Sequence, residues 1–138
     1  MVVGADIDRL VLVVDDDPLV LKLLSMIITS MPSVNFISAQ TSEEALQLAM
    51  RHPIQMVITD MNMPGKTGAW LLQQLRTNGI DVPVVMHSGS LDPQDEPAII
   101  RMGATKVLRK PAPATEIMRT ISEILDRAVP PTGSAATK

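Results

Sequence analysis

The chain has no cysteine and no tyrosine, and only one tryptophan, one phenylalanine and two histidines among its 138 residues. Without cysteine there is no disulfide framework, no iron–sulfur cluster and no thiolate zinc site. His52 and His87 are too few imidazoles for a histidine-based metal site. The scarcity of aromatic rings leaves almost nothing on which to stack bases, and a net charge of −3 argues against a phosphate-backbone binder. Long apolar runs are missing too: Leu10–Val14 ends in acids and Lys22 interrupts the next run, far short of the ~20 residues a spanning helix needs. Met1 to Arg9 carries Asp6 and Asp8 and lacks the basic start and apolar stretch of a signal peptide. The expectation is a cytoplasmic protein with no direct nucleic-acid and no membrane partner. What remains is hard-oxygen chemistry carried by aspartate.

Enough is present to build one domain. At 46% hydrophobic and 20% charged residues, the chain can bury a core of ordinary size. Leu10–Val14 reads as a parallel strand buried on both faces. Asp17-Pro18 opens a helix, with Asp17 as N-cap and Pro18 at the first helical position; Leu21, Leu24, Ile27 and Ile28 carry its period up to Met31. Val34–Ala39 is a second strand. Thr41 or Ser42 caps a helix over Glu43–Arg51, with Glu44 or Glu43 placed for a capping box. Ile54–Thr59 is a third strand, and a third helix runs from Thr67 to Thr77 until Asn78-Gly79 stops it. Val84–His87 and Lys106–Arg109 are the last strands. Between them Asp92–Met102 is a weaker helical segment containing Pro93 and Pro97, so it is late-starting, bent or mobile. Ala114 to about Ala128 is the final helix, with Ile117, Ile121, Ile124 and Leu125 on one face. Strict alternation predicts an α/β fold with a doubly wound five-stranded parallel sheet and helices on both faces. Residues 1–9 read as an N-terminal extension, 10–128 as the domain, and 129–138 as a flexible tail or linker stub.

In such sheets ligands collect at the carboxyl ends of the strands. Those ends carry Asp15, Asp16 and Asp17 after the first strand, Asp60 after the third, Ser88 after the fourth and Lys110 after the fifth. The Gly-rich dinucleotide fingerprint is absent after the first strand; three acids stand in its place. Clustered carboxylates repel one another and call for a cation, and a hard ion held by oxygens describes Mg²⁺. The chemistry that fits is phosphoryl transfer onto a carboxylate. Asp60 would be the nucleophile that forms an acyl phosphate. Lys110 would pair with phosphoryl oxygens, and the Ser88 hydroxyl would donate to another of them.

The runs Val13-Val14-Asp15-Asp16-Asp17-Pro18, Thr59-Asp60-Met61-Asn62-Met63-Pro64-Gly65, Val84–Gly89 and Lys110-Pro111 resemble those of the receiver domains of two-component signalling, the chemotaxis response regulator among them. The resemblance covers roughly Leu10 to Ala128. It implies a flavodoxin-like fold with strand order 2-1-3-4-5. It further implies that Asp60 accepts phosphate from a phosphohistidine on a sensor histidine kinase or a phosphotransfer protein. By the same resemblance Asp16, Asp60 and the Asn62 carbonyl bind Mg²⁺ directly, Asp15 acts at least partly through water, Ser88 is the switch hydroxyl, and a cis bond joins Lys110 to Pro111. Such a domain is not an enzyme beyond its own phosphorylation and dephosphorylation, and it signals to a downstream protein or output domain. Two departures stand out. Val107 occupies the place where the family often has Tyr or Phe, and Ala112 the place where Phe often follows Lys-Pro. The aromatic half of the usual switch is missing, which directs attention to Gly89–Asp95 and the Pro-containing helix as the route of activation.

Plainer readings compete at each position. Asp17 is simply a cap, His87 a packing residue, and the ten methionines soft core filler. Trp70 rotates towards the edge of the third helix, where it covers apolar surface or anchors a partner or weak dimer. As whole-protein functions, an unphosphorylated interaction module and a small Mg²⁺ phosphatase with an Asp-x-Asp nucleophile stand behind the phosphoacceptor switch.

Overall fold

The computed structural model describes residues 9–127. Five strands, β1 (Leu10–Val14), β2 (Asn35–Ala39), β3 (Met56–Thr59), β4 (Val84–Ser88) and β5 (Lys106–Arg109), alternate with helices α1 (Pro18–Thr29), α2 (Ser42–Arg51), α3 (Gly68–Thr77), α4 (Glu96–Arg101) and α5 (Ala114–Arg127). All strand pairs are parallel, as the alternation predicts, and the order is β2-β1-β3-β4-β5, as the resemblance implies. The remainder of the expected N-terminal extension, Ala128 and the expected tail lie outside the described residues. Arg9, the last residue of that extension, pairs with Asp126 of α5 at 2.8 Å.

The bare apolar strands are explained by two cores, one on each face of the sheet. Val11, Val13, Met56, Ile58, Val85 and Leu108 pack under α1 and α5. Leu12, Val14, Val57, Val84 and Met86 pack under α2, α3 and Ile99 of α4. Because side chains alternate along a strand, a strand between two helix layers has no polar face left. The edge strand β2 is the most exposed of the five, and Asn35 and Ser38 face solvent there.

Local chemistry sets the helix ends. Asp17 caps α1 by accepting from the Leu19 amide at 3.0 Å. Thr41 rather than Ser42 caps α2, accepting from Glu44 N–H at 3.1 Å, while Glu44 reaches back to the Gln40 amide. Ser42 instead donates to the Thr67 carbonyl at 3.0 Å, tying α2 to the cap of α3. The weak segment starts late: Pro93–Asp95 forms a 3₁₀ turn, and only Glu96–Arg101 is α-helical, with Pro97 in its first turn where no amide is needed. The methionines divide. Met31, Met56, Met63 and Met86 fill core, whereas Met26, Met50 and Met102 are exposed, so core filler describes only part of them. No helix among the described residues is long and apolar enough to cross a membrane.

Candidate functional site

The strand alternation that sends Val11, Val13, Met56, Ile58 and Leu108 into the α1/α5 core carries one step further to Asp15, Asp60 and Lys110. Polar groups thus gather where the apolar sheet ends. Asp15 is 1% exposed, Asp60 8%, and Asp16 stands in solvent. Carboxylate oxygens of all three lie within 4.8 Å of one another.

Lys110 crosses from β5 to reach Asp15 Oδ2 at 2.8 Å and Asp60 Oδ2 at 3.2 Å. Burial alone would lower the pKa of its ammonium; the hydrogen bond and charge of Asp15, then those of Asp60, outweigh it and hold the group above the ordinary lysine value. The other Asp15 oxygen accepts from the Asp17 amide at 2.9 Å, which locks the acidic turn. Asp60 Oδ1 accepts from the Asn62 amide at 3.3 Å, and the Asn62 side chain donates to Ser90 Oγ. The Lys110-Pro111 bond is cis, as the resemblance implies.

Ser88 is the last residue of β4 rather than the first beyond it, and it is buried. Its hydroxyl accepts from the Ser90 amide at 3.5 Å, and its carbonyl accepts from Lys110 N–H at 3.0 Å. Asp15, Asp16, Asp60 and Lys110 therefore meet directly. Asn62 joins them through Asp60, and Ser88 joins through the backbone of Lys110.

Two neighbours had little sequence signal. Gly68 opens α3 with its amide on the Met61 carbonyl at 2.9 Å. A Cβ on Gly68 would sit 2.3 Å from the Asp60 carbonyl oxygen. The only hint was a glycine at the mouth of a helix, which usually marks an ordinary turn. Arg109, a single strand-end cation, donates to the Leu91 carbonyl and to Glu96 Oε1, both at 2.7 Å. Trp70 is half-buried against the α2/α3 core with the Lys66 ammonium 5.5 Å from its ring centroid, which fits surface covering.

His87 is buried, and its Nδ1 has no hydrogen-bond partner. Burial, then the Lys110 charge, lowers its pKa from 6.5, against the opposing pull of Asp15 and Asp60. A histidine kept neutral by the fold gives stability that is complete above its unfolded pKa and falls as pH drops below about 6.5 towards the depressed folded value. Between about pH 7.5 and 5.5 the melting temperature of a His87→Leu variant should fall less than that of the parent. Identical profiles for the two chains would remove His87 from the acid response.

Five parallel strands in this order, with three acids and a lysine at their carboxyl ends, define a receiver-type α/β module. Residues 11–122 match the response regulator receiver domain, and the chain belongs to that family. The transcriptional regulatory protein GlrR of Escherichia coli (strain K12) is 28% identical over 121 residues, covering 88% of this chain and 27% of that protein. The transcriptional regulatory protein KdpE of Mycobacterium tuberculosis is 31% identical over 118 residues, covering 86% and 51%. The receiver domain of the Francisella response regulator 1452 superposes with a TM-score of 0.80 at 24% identity, over 86% of this chain and 98% of that one, a likeness of fold. The chain thus spans about a quarter of the length of the first of these relatives and about half of the second. As a receiver domain it is a module of two-component signalling and not a conventional enzyme, and response regulators work with histidine kinases and output domains.

Proposed function

We propose that the chain is a phosphoacceptor switch in which Asp60 takes a phosphoryl group from the phosphohistidine of a sensor kinase or phosphotransfer protein. The observation that carries this reading is the Lys110 ammonium held on both Asp15 and Asp60 at the mouth of a carboxylate cluster. An Asp60 oxygen attacks phosphorus, the phosphorus–nitrogen bond of the donor breaks, and the imidazole leaves with the electron pair. The product is an acyl phosphate on Asp60. Lys110 is near enough to follow the developing charge from Asp60 Oδ2 onto a phosphoryl oxygen. Ser88 donates to another oxygen once its hydroxyl leaves the Ser90 amide.

The clustered oxygens suit a hard divalent cation. In this reading Asp16, Asp60 and the Asn62 carbonyl hold Mg²⁺, with Asp15 contributing at least partly through water. When bound, the ion neutralises charge on the phosphoryl oxygens. The phosphatase reading loses its Asp-x-Asp pair here: Asp17 is committed to the α1 cap and Asp15 to Lys110. Residues 10–128 form the receiver unit, and a cytoplasmic setting follows from the need for a phosphodonor charged from ATP.

The approach of a protein donor is supported by α1. Its solvent face, just past Asp16 and Asp17, presents Leu19, Leu23 and Met26, all exposed, at helical spacing. A soluble helix apolar on both sides points to a partner surface. The test uses a small phosphodonor such as acetyl phosphate and, separately, a phosphorylated histidine kinase. Intact-mass analysis should show one added phosphoryl group that depends on Mg²⁺ and maps to the Asp60 peptide. A Leu23→Asp chain should keep the small-donor rate and lose about ten-fold or more in transfer from the kinase, since a hydrophobic interface anchor is worth about 1–2 kcal/mol or more. No covalent phosphoryl group with either donor would overturn the switch reading.

A further inference from the structure

Val107 and Arg109 occupy the face of β5 opposite to Leu108 and Lys110. In register, Val107 stands beside Met86, and Arg109 stands beside Ser88. Val107 is half-buried against the α2/α3 core. Arg109 reaches the β4–α4 connection. One guanidinium nitrogen donates to the Leu91 carbonyl in that connection, and the other to Glu96 in the first turn of α4, each at 2.7 Å. A planar fork with two acceptors on two segments fixes orientation in a way a single ion pair does not.

The held segment is poorly stabilised otherwise. The α-helical part of α4 has six residues and one buried side chain, Ile99. The 3₁₀ turn before it buries none and has no side-chain cap. Between Ser88 and the clamp lie Gly89 and Ser90, and Ser90 is held at both ends, by the Ser88 hydroxyl on its amide and by Asn62 on its hydroxyl.

From this juxtaposition we infer that Arg109 is the latch of the resting state, a positioning residue that couples Ser88 to α4. The inference rests on the phosphoacceptor reading above. When Ser88 turns to a phosphoryl group it releases the Ser90 amide, the chain at residues 89–91 shifts, and the Leu91 carbonyl withdraws from the guanidinium. Glu96 and α4 are then free to repack. A latch that favours the resting arrangement must by linkage oppose binding of the phosphoryl group by the same factor.

The experiment compares the parent chain with Arg109→Ala and Arg109→Lys. Amide hydrogen exchange is followed with and without beryllofluoride plus Mg²⁺, and beryllofluoride affinity is measured in parallel. In Arg109→Ala, exchange without the mimic should rise about five-fold across residues 89–102 and little elsewhere, and beryllofluoride should bind about five-fold tighter. Arg109→Lys keeps the charge but not the fork and should lie between the two. Unchanged exchange in 89–102, unchanged affinity, or a rise spread evenly over all five strands would each overturn the latch. A parent chain that binds beryllofluoride but responds elsewhere removes only the latch, whereas a parent that neither binds it nor accepts a phosphoryl group removes the switch reading with it.

Discussion

An Asp60→Asn chain should lose all covalent phosphorylation and yet, in the presence of EDTA, melt at a higher temperature than the parent. The first effect follows from the loss of the nucleophilic oxygen; the Asn amide nitrogen is not a nucleophile and its oxygen carries no charge. The second follows from the arrangement of charges. Three carboxylates lie within 4.8 Å of one another, so three like-charge pairs are opposed by only two attractions, both from Lys110. Removing the Asp60 charge removes two of the repulsions and the longer, 3.2 Å attraction, while the 2.8 Å bond to Asp15 stays. Unit charges 4 Å apart interact by about 4 kcal/mol at an effective dielectric near 20; after cancellation and solvent screening of the exposed Asp16, a net gain of about 1 kcal/mol is expected. Asparagine keeps the volume and can still accept from the Asn62 amide.

Magnesium should reverse that order. A cation bound only by the folded parent stabilises it in proportion to ln(1 + [L]/Kd), and on the ligand set proposed above the variant has lost one of its ligands. Thermal melts of both chains in EDTA and in excess Mg²⁺, with intact mass after acetyl phosphate, make the check. A variant less stable than the parent in EDTA would mean that the Asp60 carboxylate supports the fold, and the net repulsion argued for this cluster would be wrong.

How much of this was legible depended on whether each residue's role was local. The strands could be read because burial on both faces leaves an unbroken apolar run, as in Leu10–Val14 and Val84–Met86. Asp17 could be read because a cap bonds two residues along its own chain. Lys110 could be placed because an apolar strand on one side and Pro111 on the other leave it only the strand end. Boundaries were less certain: Ile54 and Val34 are buried but precede the paired strands, because burial extends past the ladder. The α4 segment lost its first turn to Pro93 and Pro97. Arg109 and Gly68 were not legible, since their roles are set by Leu91, Glu96 and the Asp60 carbonyl, which only the fold brings near.

Gly68 makes that point as the second large effect. A Gly68→Ala chain should be destabilised by about 2–4 kcal/mol and should take up phosphoryl groups far more slowly, on the order of a hundred-fold. The added methyl would lie 2.3 Å from the Asp60 carbonyl oxygen and 3.0 Å from the Met61 Cα, both backbone atoms that cannot rotate away. Relief requires the start of α3 to lift from the β3 end, breaking the Gly68–Met61 amide bond and displacing Thr67, which caps α3 and receives Ser42. Alternatively, Asp60 itself moves, and its bond to Lys110, already 3.2 Å, is lost. Gly65 is the internal control. It lies in the same connection with φ +80, but nothing stands within 4 Å of its missing Cβ. Gly65→Ala should therefore cost about 1–2 kcal/mol for the left-handed backbone and leave the phosphorylation rate near that of the parent. Chemical denaturation and acetyl phosphate kinetics on both variants separate crowding from backbone strain. Equal losses of rate would mean that the connection as a whole, and not the close approach of α3 to Asp60, sets the geometry of the proposed phosphoacceptor.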